Sequence, residues 1–172
     1  MIVGFSYEEV IDERIDELKK MKLLVLSDSH GHDEQLLNII IEHTDTDAII
    51  FLGDGERDFD NVVNSGFVTD DKMICQVRGN CDFASREPDK LVREFGGVRF
   101  LITHGHMQNA KLSDWGMINE AKRQNCTVVL YGHTHWKTYK VKENITLINP
   151  GSAREGSYCI VVVKDGKVSV LE

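Results

Sequence analysis

Lys22-Leu23-Leu24-Val25-Leu26-Ser27 is an apolar run behind a single lysine, closed at once by Asp28-Ser29-His30. A strand with one wet face alternates apolar and polar residues. This one has no polar side through its middle and reads as a strand buried on both faces. The chain repeats that grammar on its way to the carboxyl terminus. Residues 33–43 carry Leu36, Leu37, Ile39, Ile40 and Ile41, which suits a helix pressed on a sheet. Residues 48–52 and 73–77 are short apolar strands with a helix over roughly 59–65 between them. Residues 98–103 and 127–131 are further strands, separated by a helix around 113–125. Strands alternating with helices predict a parallel or mixed sheet.

The last third changes style. Residues 145–148, 158–164 and 167–171 are strand-like, and Asp165-Gly166 is a strong two-residue hairpin signal. A run of strands with few helices predicts a second sheet packed face to face with the first. The expected fold is therefore α/β: a two-sheet β-sandwich flanked by helices, one domain over 21–172 without an internal boundary. Residues 1–20 stand apart as a helical extension. Ser6 and Glu9 form a capping-box pattern, Phe5 and Val10 a hydrophobic staple, and Tyr7, Val10 or Ile11, Ile15 and Leu18 an apolar stripe. That stripe is expected to pack on the parent domain or, failing that, on a partner subunit in a homo-oligomer.

Composition narrows the function classes. At 172 residues the chain can bury a substantial core, and a net charge of −8 argues against long nucleic acid as a partner. Cys75, Cys81, Cys126 and Cys159 have no CxxC spacing and read as reduced thiols. No apolar stretch approaches the roughly 20 residues of a membrane span, and the amino terminus lacks a signal peptide's character. A cytoplasmic protein without a membrane partner is expected.

Chemistry concentrates where strands give way to loops. Asp28-Ser29-His30, Gly53-Asp54, Gly79-Asn80-Cys81-Asp82, Thr103-His104-Gly105-His106 and Gly132-His133-Thr134-His135 each follow a predicted strand. In α/β folds such strand ends converge. Asp28, His30, Asp54, Asn80, His104, His133 and His135 together offer seven oxygen and nitrogen donors, suited to two divalent cations held close together. With no thiolate-rich set, structural zinc is disfavoured. Carboxylate, imidazole and amide donors suit manganese, iron, cobalt, nickel or zinc, with manganese the expected ion.

The order Asp-x-His, Gly-Asp, Gly-Asn-x-Asp, His-Gly-His and Gly-His-Thr-His resembles the calcineurin-like metallophosphoesterase superfamily. The Gly79-Asn80-Cys81-Asp82 motif, the short chain and Asn149-Pro150-Gly151-Ser152 are similar to its small YfcE-type phosphodiesterase branch. The resemblance covers Met21 onward. It implies that Asp28, His30 and His135 hold one metal, that Asn80, His104 and His133 hold the other, and that Asp54 bridges them. The implied reaction is attack of a metal-activated water on a small phosphodiester. A phosphomonoesterase acting on nucleotides is the nearest alternative, and a non-catalytic protein-interaction scaffold on the same fold is another. Many members carry His after Gly-Asn, placed to protonate the leaving oxygen; here Cys81 stands there, and a thiol is a poor acid near neutrality. Asp54, Asn80, Cys81, His104 and His106 are thus the candidate catalytic residues, with His106 as an alternative proton donor. Asp82 is expected to orient a neighbouring ligand or loop. Arg57 with Asp58 reads as a solvated pair, the side chains of 149–152 as serving their own turn, and Trp115 with Trp136 as an aromatic wall or packing.

Overall fold

The computed structural model describes residues 20–171; the expected amino-terminal helix lies outside them. Ten strands and three α-helices follow one another among the described residues. They are β1 (Met21–Leu26), α1 (Asp33–Glu42), β2 (Ala48–Phe51), α2 (Glu56–Val63), β3 (Met73–Gln76), β4 (Lys90–Phe95), β5 (Val98–Thr103), α3 (Trp115–Arg123), β6 (Val128–Leu130), β7 (Thr138–Lys142), β8 (Ile145–Asn149), β9 (Cys159–Lys164) and β10 (Lys167–Leu171). They build two mixed five-stranded sheets, ordered β10-β9-β1-β2-β3 and β4-β5-β6-β8-β7.

β1 explains why its sequence is apolar throughout. Leu23 and Val25 face the second sheet and pack with Ile50, Phe100, Ile102 and Val161. Leu24 and Leu26 face the other way, onto Leu36, Ile40, Phe51 and Phe59 from α1, α2 and β2. On the far side of the second sheet, Leu101, Val129 and Leu147 meet Met117, Ile118 and Ala121 of α3. Helix, sheet, sheet and helix thus form four layers, each boundary sealed by side chains from alternate strand positions.

The two-sheet sandwich stands as expected, but its wiring does not follow the chain in blocks. The late strands do not make a second sheet of their own. β9 joins β1 antiparallel in the first sheet and β10 pairs antiparallel with β9 at its edge, whereas β7 and β8 extend the second. β4 and β7 are additional edge strands. Each closes onto its neighbour through a two-residue turn with positive φ: Gly96-Gly97 at 53° and 79°, and Glu143-Asn144 at 50° and 62°. The first turn is the hairpin dipeptide that could have revealed β4; Glu-Asn is a weak signal for such a turn. Asp165-Gly166, at 51° and 69°, joins β9 to β10 as its sequence suggests.

β1, β2 and β3 run parallel, as do β5, β6 and β8. The strand ends of both sheets therefore open on one rim of the sandwich. Among the described residues, no helix is long and apolar enough to cross a membrane.

Candidate metal centre

That rim gathers the expected side chains. Asp28 and His30 come from the loop after β1, Asp54 from that after β2, Asn80 from β3, His104 from β5, and His133 with His135 from β6. Three triads of potential ligand atoms form among the described residues, Asp28/His30/His135, His30/Asp54/Cys81 and Asp54/His104/His133, with all atoms of each within 4.8 Å of one another. Asp54 is common to the last two: its Oδ2 is 3.9 Å from His30 Nε2 and 3.4 Å from His104 Nε2. Asn80 Oδ1 is 3.2 Å from His104 Nε2. The cysteine thiol of Cys81 approaches His30 and Asp54.

Several atoms here lack ordinary partners. Asp28 is fully buried; its Oδ2 accepts from Ser27 Oγ at 2.5 Å and the His133 amide at 3.0 Å, while Oδ1 has no hydrogen bond. His135 Nε2 stands 3.1 Å and His30 Nε2 3.7 Å from that orphaned oxygen, and the two ring nitrogens are 3.3 Å apart. His104 Nδ1 lies 2.7 Å from the Leu52 carbonyl, which can only accept, so Nδ1 carries a proton, and Nε2, 3.2 Å from Asn80 Oδ1, is the nitrogen left to take a cation in place of its own proton. A fully buried carboxylate oxygen without a hydrogen-bond donor, as Asp28 Oδ1 is, is costly when left alone and is satisfied by a cation. The donor set therefore fits divalent metal.

Titration behaviour agrees with such crowding. Burial alone would raise the Asp54 carboxyl, but the hydrogen bond and charge of His104, together with the Cys81 amide, hold it well below the usual carboxylate range. Burial would likewise lower His104, and Asp54 and Asp28 outweigh it and raise it. His133 falls to about 4, chiefly through burial and then the neighbouring His104 charge, so its ring is neutral at physiological pH. Burial, followed by Asp54, pushes the Cys81 thiol up to about 11. His106 lies beside His104 and His133, with ring centroids 5.4 and 6.2 Å away, and its buried Nδ1 has no partner.

The backbone carries the cost of this arrangement. Asp28, His30, Asp54, His133 and His135 all adopt positive φ, between 46° and 65°. For residues with a Cβ this left-handed conformation costs about 1–2 kcal/mol each. Such strain persists only where the surroundings impose it, and it clusters at functional sites. His135 is the cleanest test, because its side chain is 46% exposed and packs little. In chelator-treated protein, His135→Gly should raise unfolding free energy by about 0.5–1 kcal/mol, the relief of strain less the added chain entropy. Manganese affinity should fall by about 100-fold. Urea denaturation and metal titration read the two effects separately, and a variant less stable than its parent would refute the strain argument.

Residues beneath the donors hold the loops. Asp82 accepts four backbone amides: Asp54 and Gly79 on Oδ2 at 2.8 and 2.7 Å, Gly55 and Glu56 on Oδ1 at 2.9 and 3.0 Å. Asp58 is not half of a solvated pair with Arg57. It is buried and accepts from Ser29 Oγ at 2.6 Å and Gly31 N at 2.7 Å, steadying the His30 loop. Asn149 and Ser152 also reach beyond their own turn. Asn149 Nδ2 donates to the Gly132 carbonyl at 2.8 Å, and Ser152 Oγ donates to the Asp28 carbonyl at 2.7 Å. Gly79 is required by contact: a Cβ there would sit 2.1 Å from Asp54 Oδ1. His32 Nδ1 lies 3.1 Å from the Ser29 carbonyl, the His43 ring meets Tyr158 tilted at 55° with centroids 4.7 Å apart, and Arg78 Nε pairs with Asp89 at 2.7 Å. Trp115 lies under Lys142, 5.6 Å away, and Trp136 is exposed; neither lines the cavity beside Asp54.

A sandwich with carboxylate and imidazole donors on one rim defines the class as metallophosphoesterase. The chain belongs to the calcineurin-like phosphoesterase superfamily, whose domain model matches residues 21–166. It is 31% identical over 157 residues to the probable metallophosphoesterase YsnB of Bacillus subtilis, covering 87% of this chain and 89% of that protein. A conserved uncharacterized protein of Streptococcus pneumoniae, described as a predicted phosphoesterase, superposes with a TM-score of 0.72 at 28% identity, over 88% of this chain and 89% of that one. The phosphoesterase YfcE of Escherichia coli shares the fold, with a TM-score of 0.60 at 21% identity over 88% and 98% of the two chains.

Proposed function

We propose that the chain is a dinuclear metal-dependent phosphodiesterase acting on small phosphodiesters. Asp28, His30 and His135 would hold one ion and Asn80, His104 and His133 the other, with Asp54 shared. The observation that carries this reading is the placement of Asp54 Oδ2 between two donor groups, one of which holds the unpartnered Asp28 Oδ1. Two such ions, manganese being the expected pair, supply a nucleophilic water and offset charge on the phosphoryl oxygens. The chain's own part is to fix the donors. The Leu52 carbonyl sets the His104 tautomer, the Cys81 amide orients Asp54 at 2.7 Å, and Asp28 is gripped through one oxygen so that the other is free.

Diesters are favoured over monoesters on charge. A diester brings one negative charge and a monoester nearly two, while the cavity beside Asp54 is walled by Glu56, Asp58, Asp60 and Asp82 against a single arginine, Arg57. Proton donation to a leaving oxygen is weakly provided: Cys81 is pushed to about 11, and His106, lowered by burial and the His104 charge, is neutral near pH 7. Activated leaving groups are therefore expected to react best. After manganese reconstitution, bis(4-nitrophenyl) phosphate should release nitrophenol at least about tenfold faster than 4-nitrophenyl phosphate. Faster turnover of the monoester overturns the diester assignment.

A further inference from the structure

The cavity that begins at His30 and Asp54 has a volume of about 440 Å³ and is walled further on by Glu56, Arg57, Cys81 and Phe83. This is within the range, roughly 300–1,000 Å³, of small-molecule sites. Because Asp54 and His30 form part of its wall, a phosphoryl group held there directs one ester substituent into it.

The wall presents an aromatic face. Phe83 is 90% exposed, more than any other large apolar side chain among the described residues. It does not hang on a loose loop. The Phe83 amide donates to the Cys81 carbonyl at 3.0 Å and the Ser85 amide to the Asp82 carbonyl at 3.3 Å, within a turn that Asp82 ties to the Asp54 loop. The next residue, Ala84, sits at φ 64°, a left-handed conformation that costs about 1–2 kcal/mol for a residue with a Cβ. The turn thus presents a bare phenyl ring at the cavity instead of folding it into the core, and its surroundings impose the strain at Ala84.

The rest of the wall is acidic: Glu56, Asp58, Asp60 and Asp82 outnumber Arg57 on it. That balance disfavours a second phosphate in this space and suits a ligand rich in N–H donors, since a carboxylate only accepts. A planar ring with an N–H edge, attached through a sugar to the phosphate being cleaved, meets these conditions. Guanine presents two adjacent donors.

We propose that this cavity is a base-binding subsite, taking the nucleobase of a nucleoside phosphodiester with its ring stacked on Phe83 and its N–H edge toward the carboxylates of the wall. The assignment deepens the phosphodiesterase reading of the adjoining donors and rests on it.

Calorimetry on manganese-loaded protein, titrated with guanosine 5′-monophosphate and with ribose 5-phosphate, tests it. Base stacking on an aromatic side chain is lost on alanine substitution at a cost of roughly 5- to 150-fold in affinity. The parent should therefore bind the guanosine compound at least about fivefold more tightly than the sugar phosphate. Phe83→Ala should erase that preference and leave ribose 5-phosphate binding unchanged. Phe83→Trp should keep it and add a fluorescence signal quenched by the guanosine compound. Equal binding of the two ligands by the parent, or a preference that survives Phe83→Ala, overturns the subsite. A parent that cleaves bis(4-nitrophenyl) phosphate yet binds neither ligand overturns the subsite alone. A manganese-loaded parent that cleaves no phosphoester overturns the reading beneath it.

Discussion

Asp54→Asn is expected to lower kcat/KM on bis(4-nitrophenyl) phosphate by about 1,000-fold or more, with at least one equivalent of manganese lost per chain. The carboxylate is 3% exposed, and one of its oxygens is spoken for by the Cys81 amide at 2.7 Å. The other is the atom that approaches both His30 and His104. An amide keeps the volume and one oxygen but carries no charge to share between two cations, so each donor group is left to bind alone. Asparagine is the right replacement because Asp54 has φ 58°, a conformation asparagine tolerates and alanine resists. Loss of activity therefore reports on the carboxylate and not on a disturbed loop. Circular dichroism and the urea midpoint should match the parent within about 1 kcal/mol. Turnover within tenfold of the parent would end the bridging role, and with it the dinuclear reading.

The gathering of the candidate donors on one rim was legible in the sequence because each is marked by residue type and by position at once. Asp28, Asp54, His104 and His133 follow apolar strands, and strand ends converge in any sheet of this kind. The strand order was not legible, because β9 is as apolar as β1 and nothing local says which sheet an apolar strand will enter. Pairing is decided by which edge is open when the chain returns, a non-local matter. β7 escaped notice for another reason. Its Thr-Tyr-Lys-Val-Lys is an exposed edge strand, too polar to separate from a loop by composition. Asp58, Asn149 and Ser152 looked like ordinary loop residues, since a side chain that braces a backbone atom tens of residues away leaves no periodic trace. Asp82 could be seen to serve the loops, but not that it accepts four amides.

That brace supplies the other large effect. Asp82→Ala should cost about 3–5 kcal/mol of unfolding free energy and weaken manganese binding by about 100-fold, although no candidate metal donor is changed. Hydrogen bonds to a charged acceptor contribute roughly 1.5–3 kcal/mol each, and water reaching the half-buried loop recovers part of the loss. The four amides belong to residues 54, 55, 56 and 79, so Asp82 clamps the bridging aspartate's loop onto the turn that carries Asn80. Gly79 lets those segments meet, since no side chain fits between its Cα and Asp54. Asp82→Asn separates position from stability. One carboxamide end still accepts two amides, while the NH2 end now opposes two donors, so the fold should survive with a smaller loss while manganese affinity still drops by about tenfold or more. Metal titration of the folded Asp82→Asn protein, beside urea denaturation of both variants, reads this directly. Parental manganese affinity in a folded Asp82→Asn chain would show that Asn80 and Asp54 hold their positions without the brace.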